Sequence, residues 1–234
     1  MHTLEFIRPT ANTWVQEIVD YGSFVRSPTV FHGAVSSNPQ AKHTANAGRY
    51  HLYVSLACPW AHRTLMVRTL KGLEQAISVD VVHPLLTEGG WSFATDYPAA
   101  TGDRVGHRDR LQQVYQQATS NFNGIVTVPV LWDKALGTIV NNESSEIIRM
   151  LNSEFQSVAA HPKVDLYPQH LRGRIDEINA WVYPSINNGV YRCGFARSQA
   201  AYERAVQELF AALDRVEGIL SRQAYLCGDD LTLD

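Results

Sequence analysis

The chain has 234 residues, 45% of them hydrophobic and 18% charged, the profile of a globular protein with room for one large domain or two ordinary ones. Its formal net charge of −3, with Lys and Arg scattered rather than in runs, argues against nucleic acid or anionic lipid as a partner. The opening MHTLEFIRPTANTW lacks a charged region followed by an apolar one, and no stretch approaches the ~18 continuous apolar residues of a membrane span. A soluble, cytoplasmic protein is expected.

Residues 1–48, rich in Pro, Gly, Ser and Asn with isolated aromatics at Phe24 and Phe31, read as an extended N-terminal arm. RYHLYVSL (49–56) reads as a buried strand, and PWAHRTLMVRTLKGL (59–73) as a helix with Pro59 in its first turn, where a missing N–H costs nothing. ISVDVVHP (77–84) is a second strand. An insertion with Gly89, Gly90, Gly102 and Gly106 then leads to a short helix over 109–118. TVPVLWDKALGTIVNN (127–142) reads as two strands joined by a tight turn at Ala135 to Gly137, and ESSEIIRMLNSEF (143–155) as a closing helix.

From Pro168 onward the pattern is helical. Ile175, Ile178, Trp181 and Val182 recur at helical spacing, as do Tyr202, Val206, Leu209, Phe210, Leu213, Val216 and Leu220, and most of these are expected in a core. The domains are therefore an arm (1–48), an α/β domain (49–156) and a helical domain (168–234).

Cys58, Cys193 and Cys227 are odd in number and far apart, which favours neither a disulfide framework nor a zinc site. No histidine stands in an H-x-x-x-H pattern, so no metal is expected. Cys193 and Cys227 are assigned to packing.

Cys58 falls between the end of the first strand and the start of the first helix. Unpaired N–H groups and the helix dipole favour an anion there, and such sites can lower a thiol pKa from about 8.5 into the range of roughly 3.5 to 7.5. A nucleophilic thiolate and a small cysteine packed behind the strand both remain open from position alone. Three residues on stands Ala61, not a second cysteine, so a disulfide formed at Cys58 has no resolving thiol in that turn. His62 lies on the same helix face and is able to support a thiolate, although structural or solvent-facing roles for His62 and Arg63 weigh more. Glu143 and Ser144 open a helix, where Asn142 is a natural cap.

The β-α-β-β-β-α order, Cys58-Pro59-Trp60-Ala61, Val128-Pro129-Val130-Leu131 and Glu143-Ser144 together resemble the thioredoxin-like domain of glutathione transferases, followed by that family's all-α domain. More narrowly, Cys58-Pro59-Trp60-Ala61-His62-Arg63, Gly90-Trp91-Ser92-Phe93, Asn141-Asn142-Glu143-Ser144 and Asn187-Asn188-Gly189-Val190-Tyr191 resemble the glutathionyl-hydroquinone reductases, the Xi class, from about Ser23 to the last residue.

The resemblance implies glutathione as co-substrate, quinone-derived thioethers as substrates, and a homodimer. It implies Cys58 and Tyr191 as catalytic residues, with Tyr183 a weaker candidate for the same pocket. Glutathione would be held by Trp91, Ile125, Val126, Thr127, Val128, Glu143 and Ser144. Val128 would precede a cis proline and offer its backbone to the peptide, while Glu143 and Ser144 would receive the γ-glutamyl end. Against that family the closing YLCGDDLTLD resembles the stretch before a further helix, with Thr232 as its cap, so a C-terminal truncation is expected. An omega-like cysteine transferase and a non-catalytic binding module of the same fold are the alternatives.

Overall fold

The structure is a computed structural model that describes residues 18–19 and 22–233. Residues 1–17 of the expected arm lie outside the described residues, as do 20, 21 and 234. Two short strands, β1 (Ile18–Val19) and β2 (Ser23–Phe24), come first. β3 (Tyr50–Val54), α1 (Pro59–Leu70), β4 (Ile77–Val81), α2 (Leu111–Ala118), β5 (Val130–Asp133), β6 (Thr138–Asn141) and α3 (Ser144–Ser153) follow. A helical stretch of α4 (Arg172–Val182), a π-turn (Tyr183–Asn187), α5 (Gly189–Gly194) and α6 (Gln199–Leu220) completes the chain.

These elements fall into two compact units, one of residues 29–164 and one of residues 165–233 joined by the described residues up to Pro28. The arm is thus shared between them.

In the first unit the strands run in the order β4-β3-β5-β6. β3 pairs parallel with β4, Leu52 opposite Val79, and antiparallel with β5, Leu52 opposite Leu131. All five residues of β3 are buried, which is why YHLYV reads as an unbroken run rather than an alternating one. Helices α1 and α3 pack on one another. Ile147 and Leu151 of α3 and Phe155 just beyond it, whose ring lies edge-on to Tyr50 of β3, are fully buried, each contributing about 1.5–3 kcal/mol of hydrophobic burial.

The arm's second half covers the sheet edge. His32 bridges Asn141, Gly33 N–H donates to the Val140 carbonyl at 2.8 Å and Asn142 N–H to the Phe31 carbonyl at 3.1 Å. A Cβ on residue 33 would lie 2.6 Å from the Val140 oxygen, so the close approach requires glycine. Edge coverage of this kind removes a row of unpaired backbone groups.

The insertion between β4 and α2 is pinned by two buried aspartates. Asp80 accepts from the Arg104 backbone N–H at 2.7 Å, from Arg104 Nε at 2.5 Å and from Thr101 Oγ1 at 3.2 Å, while His51 Nε2 lies 3.2 Å away. Asp103 accepts from Tyr53 Oη at 3.0 Å, from Arg108 at 2.7 Å and from the amides of Val105, Gly106 and Arg108. Burial pushes the Tyr53 phenol up, which keeps it a donor.

In the second unit Gly22, at φ +90°, turns the β1–β2 pair and accepts from Arg197 N–H at 2.9 Å. Ser198 caps α6, its hydroxyl accepting from Ala201 N–H at 3.2 Å. The buried stripe of α6 is Ala201, Ala205, Leu209 and Ala212. Leu209 of the expected core set is buried among the alanines, whereas Tyr202, Phe210, Leu213 and Leu220 of the same set are exposed. Among the described residues no helix is long and apolar enough to cross a membrane.

Burial raises the Asp80 carboxyl, but the hydrogen bonds from His51 and Arg104 outweigh it and hold the group down at about 2. Its ordinary value is 3.8, so the stabilisation is complete above pH 3.8 and is lost as the pH falls through about 2. Urea unfolding followed across that interval will show the loss, and Asp80→Asn will flatten it. At neutral pH the same variant will cost about 1–3 kcal/mol by leaving buried partners unsatisfied.

Candidate active site

Cys58 is the N-cap residue of α1, with extended backbone at φ −104° and ψ 114°, and Pro59 takes the first helical position. The thiol is half-buried and donates to the Val128 carbonyl, Sγ to O 3.6 Å. Ala61 is fully buried, and the unit of residues 29–164 contains no cysteine besides Cys58. Among the described residues no group of His, Cys, Asp and Glu is placed to hold a metal ion.

The Val128–Pro129 peptide is cis. Val128 is buried, and Ile125, Val126 and Thr127 before it are partly exposed. Thr127 is held by Tyr115, whose hydroxyl donates to the Thr127 carbonyl at 2.8 Å and accepts from the Thr127 amide at 3.3 Å. Asn142 Nδ2 reaches the same phenol oxygen at 3.1 Å and Thr127 Oγ1 at 3.4 Å. Burial pushes the Tyr115 phenol well above its usual range, so it remains a neutral hub.

Helix α3 begins beside this segment. Its cap is Glu143, not Asn142: Glu143 Oε1 accepts from Ser145 N–H at 3.2 Å and from Ser145 Oγ at 3.0 Å. Asn142 faces inward instead, its Oδ1 accepting from Phe31 N–H at 3.1 Å, and so is unavailable to cap. Ser144 is buried, and its hydroxyl accepts from Arg63 at 3.0 Å through Nε and 2.7 Å through Nη2. The guanidinium also lies 3.8 Å from Glu143 Oε1 and 5.1 Å from the Trp60 ring centre. Of the pair after Ala61, His62 is exposed to solvent, whereas Arg63 turns into the site.

Trp91 sits in the insertion, partly exposed, with its carbonyl accepting from Leu111 N–H at 3.0 Å and its neighbour Ser92 bridged to Arg110. Thr87 and Gly90 of that loop line a cleft together with Gln112 of α2 and with Val126. Trp91's loop and the 125–128 segment therefore share one wall. Cys58, Thr127, Val128, Glu143 and Ser144 are brought together by direct contacts or by the Tyr115, Asn142 and Arg63 links between them.

Tyr191 belongs to the second unit. It stands on α5, since the π-turn carries the helical backbone past Pro184 and into Gly189 despite the turn chemistry of Asn187-Asn188-Gly189. The Arg26 guanidinium lies 4.2 Å from its ring centre, and Phe24 and Phe195 lie against it at 6.4 and 6.0 Å. Tyr183 is exposed. Burial pushes the Cys193 thiol up, which keeps it protonated and poorly nucleophilic.

Residues 57–154 match the family described as the glutathione S-transferase N-terminal domain. The glutathionyl-hydroquinone reductase YqjG of Escherichia coli is 49% identical over 94% of this chain and 69% of its own length. The chain belongs to the glutathionyl-hydroquinone reductase family, the Xi class of glutathione transferases. Among solved structures, the glutathione transferase Xi of Phanerochaete chrysosporium is 48% identical and superposes with a TM-score of 0.91, covering 96% of this chain and 72% of that one. The glutathione-bound structure of YqjG is 50% identical with a TM-score of 0.83, over 87% of this chain and 68% of that one.

Tyr115, Asn142 and Arg63 are the residues that sequence reasoning did not assign to the site. Arg63 enters through a hydrogen bond to Ser144, 81 residues away, which no local spacing announces, and Tyr115 reads as one more apolar position of α2. Tyr115→Phe will lower stability by about 1–3 kcal/mol in urea unfolding, because the Thr127 carbonyl and Asn142 lose their shared partner. Exchange of the Thr127 amide proton will accelerate in the same variant.

Proposed function

We propose that the chain reduces glutathionyl-hydroquinones to hydroquinones at the expense of glutathione, with Cys58 as nucleophile. The observation that carries this reading is Cys58 itself: a half-buried thiol at the N-cap of α1, touching the carbonyl before the cis proline, in a unit with no second cysteine.

The Cys58 thiolate attacks the sulfur of the thioether. The carbon–sulfur bond breaks as the Cys58–glutathione disulfide forms, and the ring carbon takes a proton with Tyr191 as the donor. A second glutathione thiolate attacks the mixed disulfide and leaves as glutathione disulfide, restoring Cys58. Ala61 makes this external resolution necessary. Reduced glutathione as co-substrate fits a cytoplasmic protein, and a homodimer is the proposed assembly.

Glutathione is proposed to lie along the 125–128 segment as a short strand would, with Trp91 over it. Its γ-glutamyl end would meet the first amides of α3, with the Arg63 guanidinium and Ser144 hydroxyl supporting the carboxylate and Glu143 the ammonium. Quinone-derived thioethers are the substrate class, and simple glutathionylated disulfides share the second half-reaction.

Mass spectrometry after incubation with a glutathionyl-hydroquinone tests the cycle. The expected result is one glutathione adduct, absent from Cys58→Ala and cleared by added glutathione. An unmodified thiol in a folded sample would instead assign the chain to binding without catalysis. Tyr191→Phe will lower turnover of the glutathionyl-hydroquinone by about 10²–10⁴-fold, the usual worth of a positioned proton donor. It will leave reduction of a glutathionylated disulfide unchanged, because no carbon is protonated in that reaction.

A further inference from the structure

The described part of the arm ahead of Pro28 has so far no part in the chemistry, yet it delivers a cation to the ring of Tyr191. Phe24 on β2 is buried and lies against both Tyr191 and Phe195, which anchors the strand to α5. Two residues on, Arg26 stacks over the Tyr191 ring at 4.2 Å and sends Nε to Asn188 Oδ1 at 2.7 Å. Asn188 immediately precedes α5, so the guanidinium is fixed at one end by the helix start and at its face by the phenol three residues later.

We propose that Arg26 is a positioning residue for the Tyr191 phenol: it fixes the ring and makes the phenol a better proton donor in the carbon–sulfur cleavage step. This rests on the role proposed for Tyr191 above. A cation over an aromatic face is attracted by the electron density of the ring. That density rises when the phenol gives up its proton, so the attraction is greater in the phenolate than in the phenol. Proton donation to the ring carbon builds phenolate character, and Arg26 stabilises that change without touching the substrate. A guanidinium suits the position because its plane stacks while its edge still donates to Asn188. Asn188 thereby gains a reason to stand in the Asn-Asn-Gly-Val-Tyr segment, as the acceptor that orients Arg26.

The test compares substrates and variants in the full chain. Arg26→Gln keeps a donor for Asn188 and removes the charge. It is expected to lower kcat for a glutathionyl-hydroquinone roughly 3- to 30-fold, the range of a cation–π contact expressed as a rate. KM for glutathione and reduction of a glutathionylated disulfide will hold steady, and Arg26→Lys will recover part of the loss. In a Tyr191→Phe background Arg26→Gln will do nothing further, since its effect passes through the phenol.

Parallel losses on both substrates, or a full Arg26→Gln effect persisting without the phenol, would overturn the proposal and leave Arg26 as a tie between arm and helix. Tyr191→Phe with undiminished hydroquinone turnover would overturn the role of Tyr191 itself, and the proposal with it. If Arg26→Gln is poorly folded, the same comparison is made with Arg26→Lys alone, where a loss confined to the hydroquinone substrate supports the proposal and an equal loss on both refutes it.

Discussion

One closed circuit of contacts holds the thiol end of the first unit. Tyr115 on α2 grips Thr127 through both backbone groups, and the next residue, Val128, takes the Cys58 thiol on its carbonyl. Cys58 caps α1, from which Arg63 reaches Ser144 on α3. Asn142, two residues before Ser144, returns to the Tyr115 oxygen. Three helices and the segment before the cis proline are thereby fixed relative to one another around the position where a peptide would lie. A single buried hydroxyl with one proton and two lone pairs satisfies three polar groups, and that economy makes the circuit stiff.

The circuit needs a frame that does not shift, and buried carboxylates supply much of it. Asp133 at the end of β5 accepts from His43, Arg49 and the amides of Ala135 and Leu136, joining the arm's second half to the turn between β5 and β6. Burial raises its carboxyl, but hydrogen bonds from Arg49 and His43 prevail and hold it below the ordinary range. Asp80 and Asp103 do the same for the insertion that carries Trp91. Each is a charge taken out of water and repaid by several donors at once, an arrangement that loses heavily when one partner is removed. The loop bearing Trp91 is therefore braced at its base while its tip stays partly exposed.

Much of this was legible because it is local. The β-α-β order, the place of Cys58 ahead of Pro59, the Ala135–Gly137 turn and the start of a helix at Glu143-Ser144 all follow from periodicity and from turn and cap chemistry over a few residues. What escaped depends on contacts across long separations in sequence. Tyr115 meets Thr127 and Asn142, and nothing in LQQVYQQA distinguishes it from a core aromatic. Asn142 satisfies the local rule for a cap yet is drawn inward by Phe31, more than a hundred residues earlier, so Glu143 caps instead. For Arg63 helical spacing leaves a structural and a solvent-facing role equally open, because it gives the face of a residue without saying what packs on that face. Asn-Asn-Gly ahead of Tyr191 is turn chemistry, yet a π-turn around Pro184 keeps the backbone helical through it. On α6 the large apolar residues suggest the core, whereas three alanines and Leu209 form the buried stripe.

The arm is the clearest case of composition concealing organisation. Its Pro, Gly, Ser and Asn content announces a segment without regular structure, and the described part has little. Several of its described aromatic and charged residues nevertheless have fixed partners. Phe31 lies near the rings of Tyr115 and Phe122 in the first unit, while Phe24 and Arg26 lie on Tyr191 in the second. The two sulfur-transfer steps of the proposed cycle differ in one requirement only, a proton for carbon. The described circuit around Cys58 runs within residues 29–164, and Phe24, Arg26 and Phe195, which lie on Tyr191, belong with it to the other unit, so the arm is tied to each unit by its own aromatic contacts.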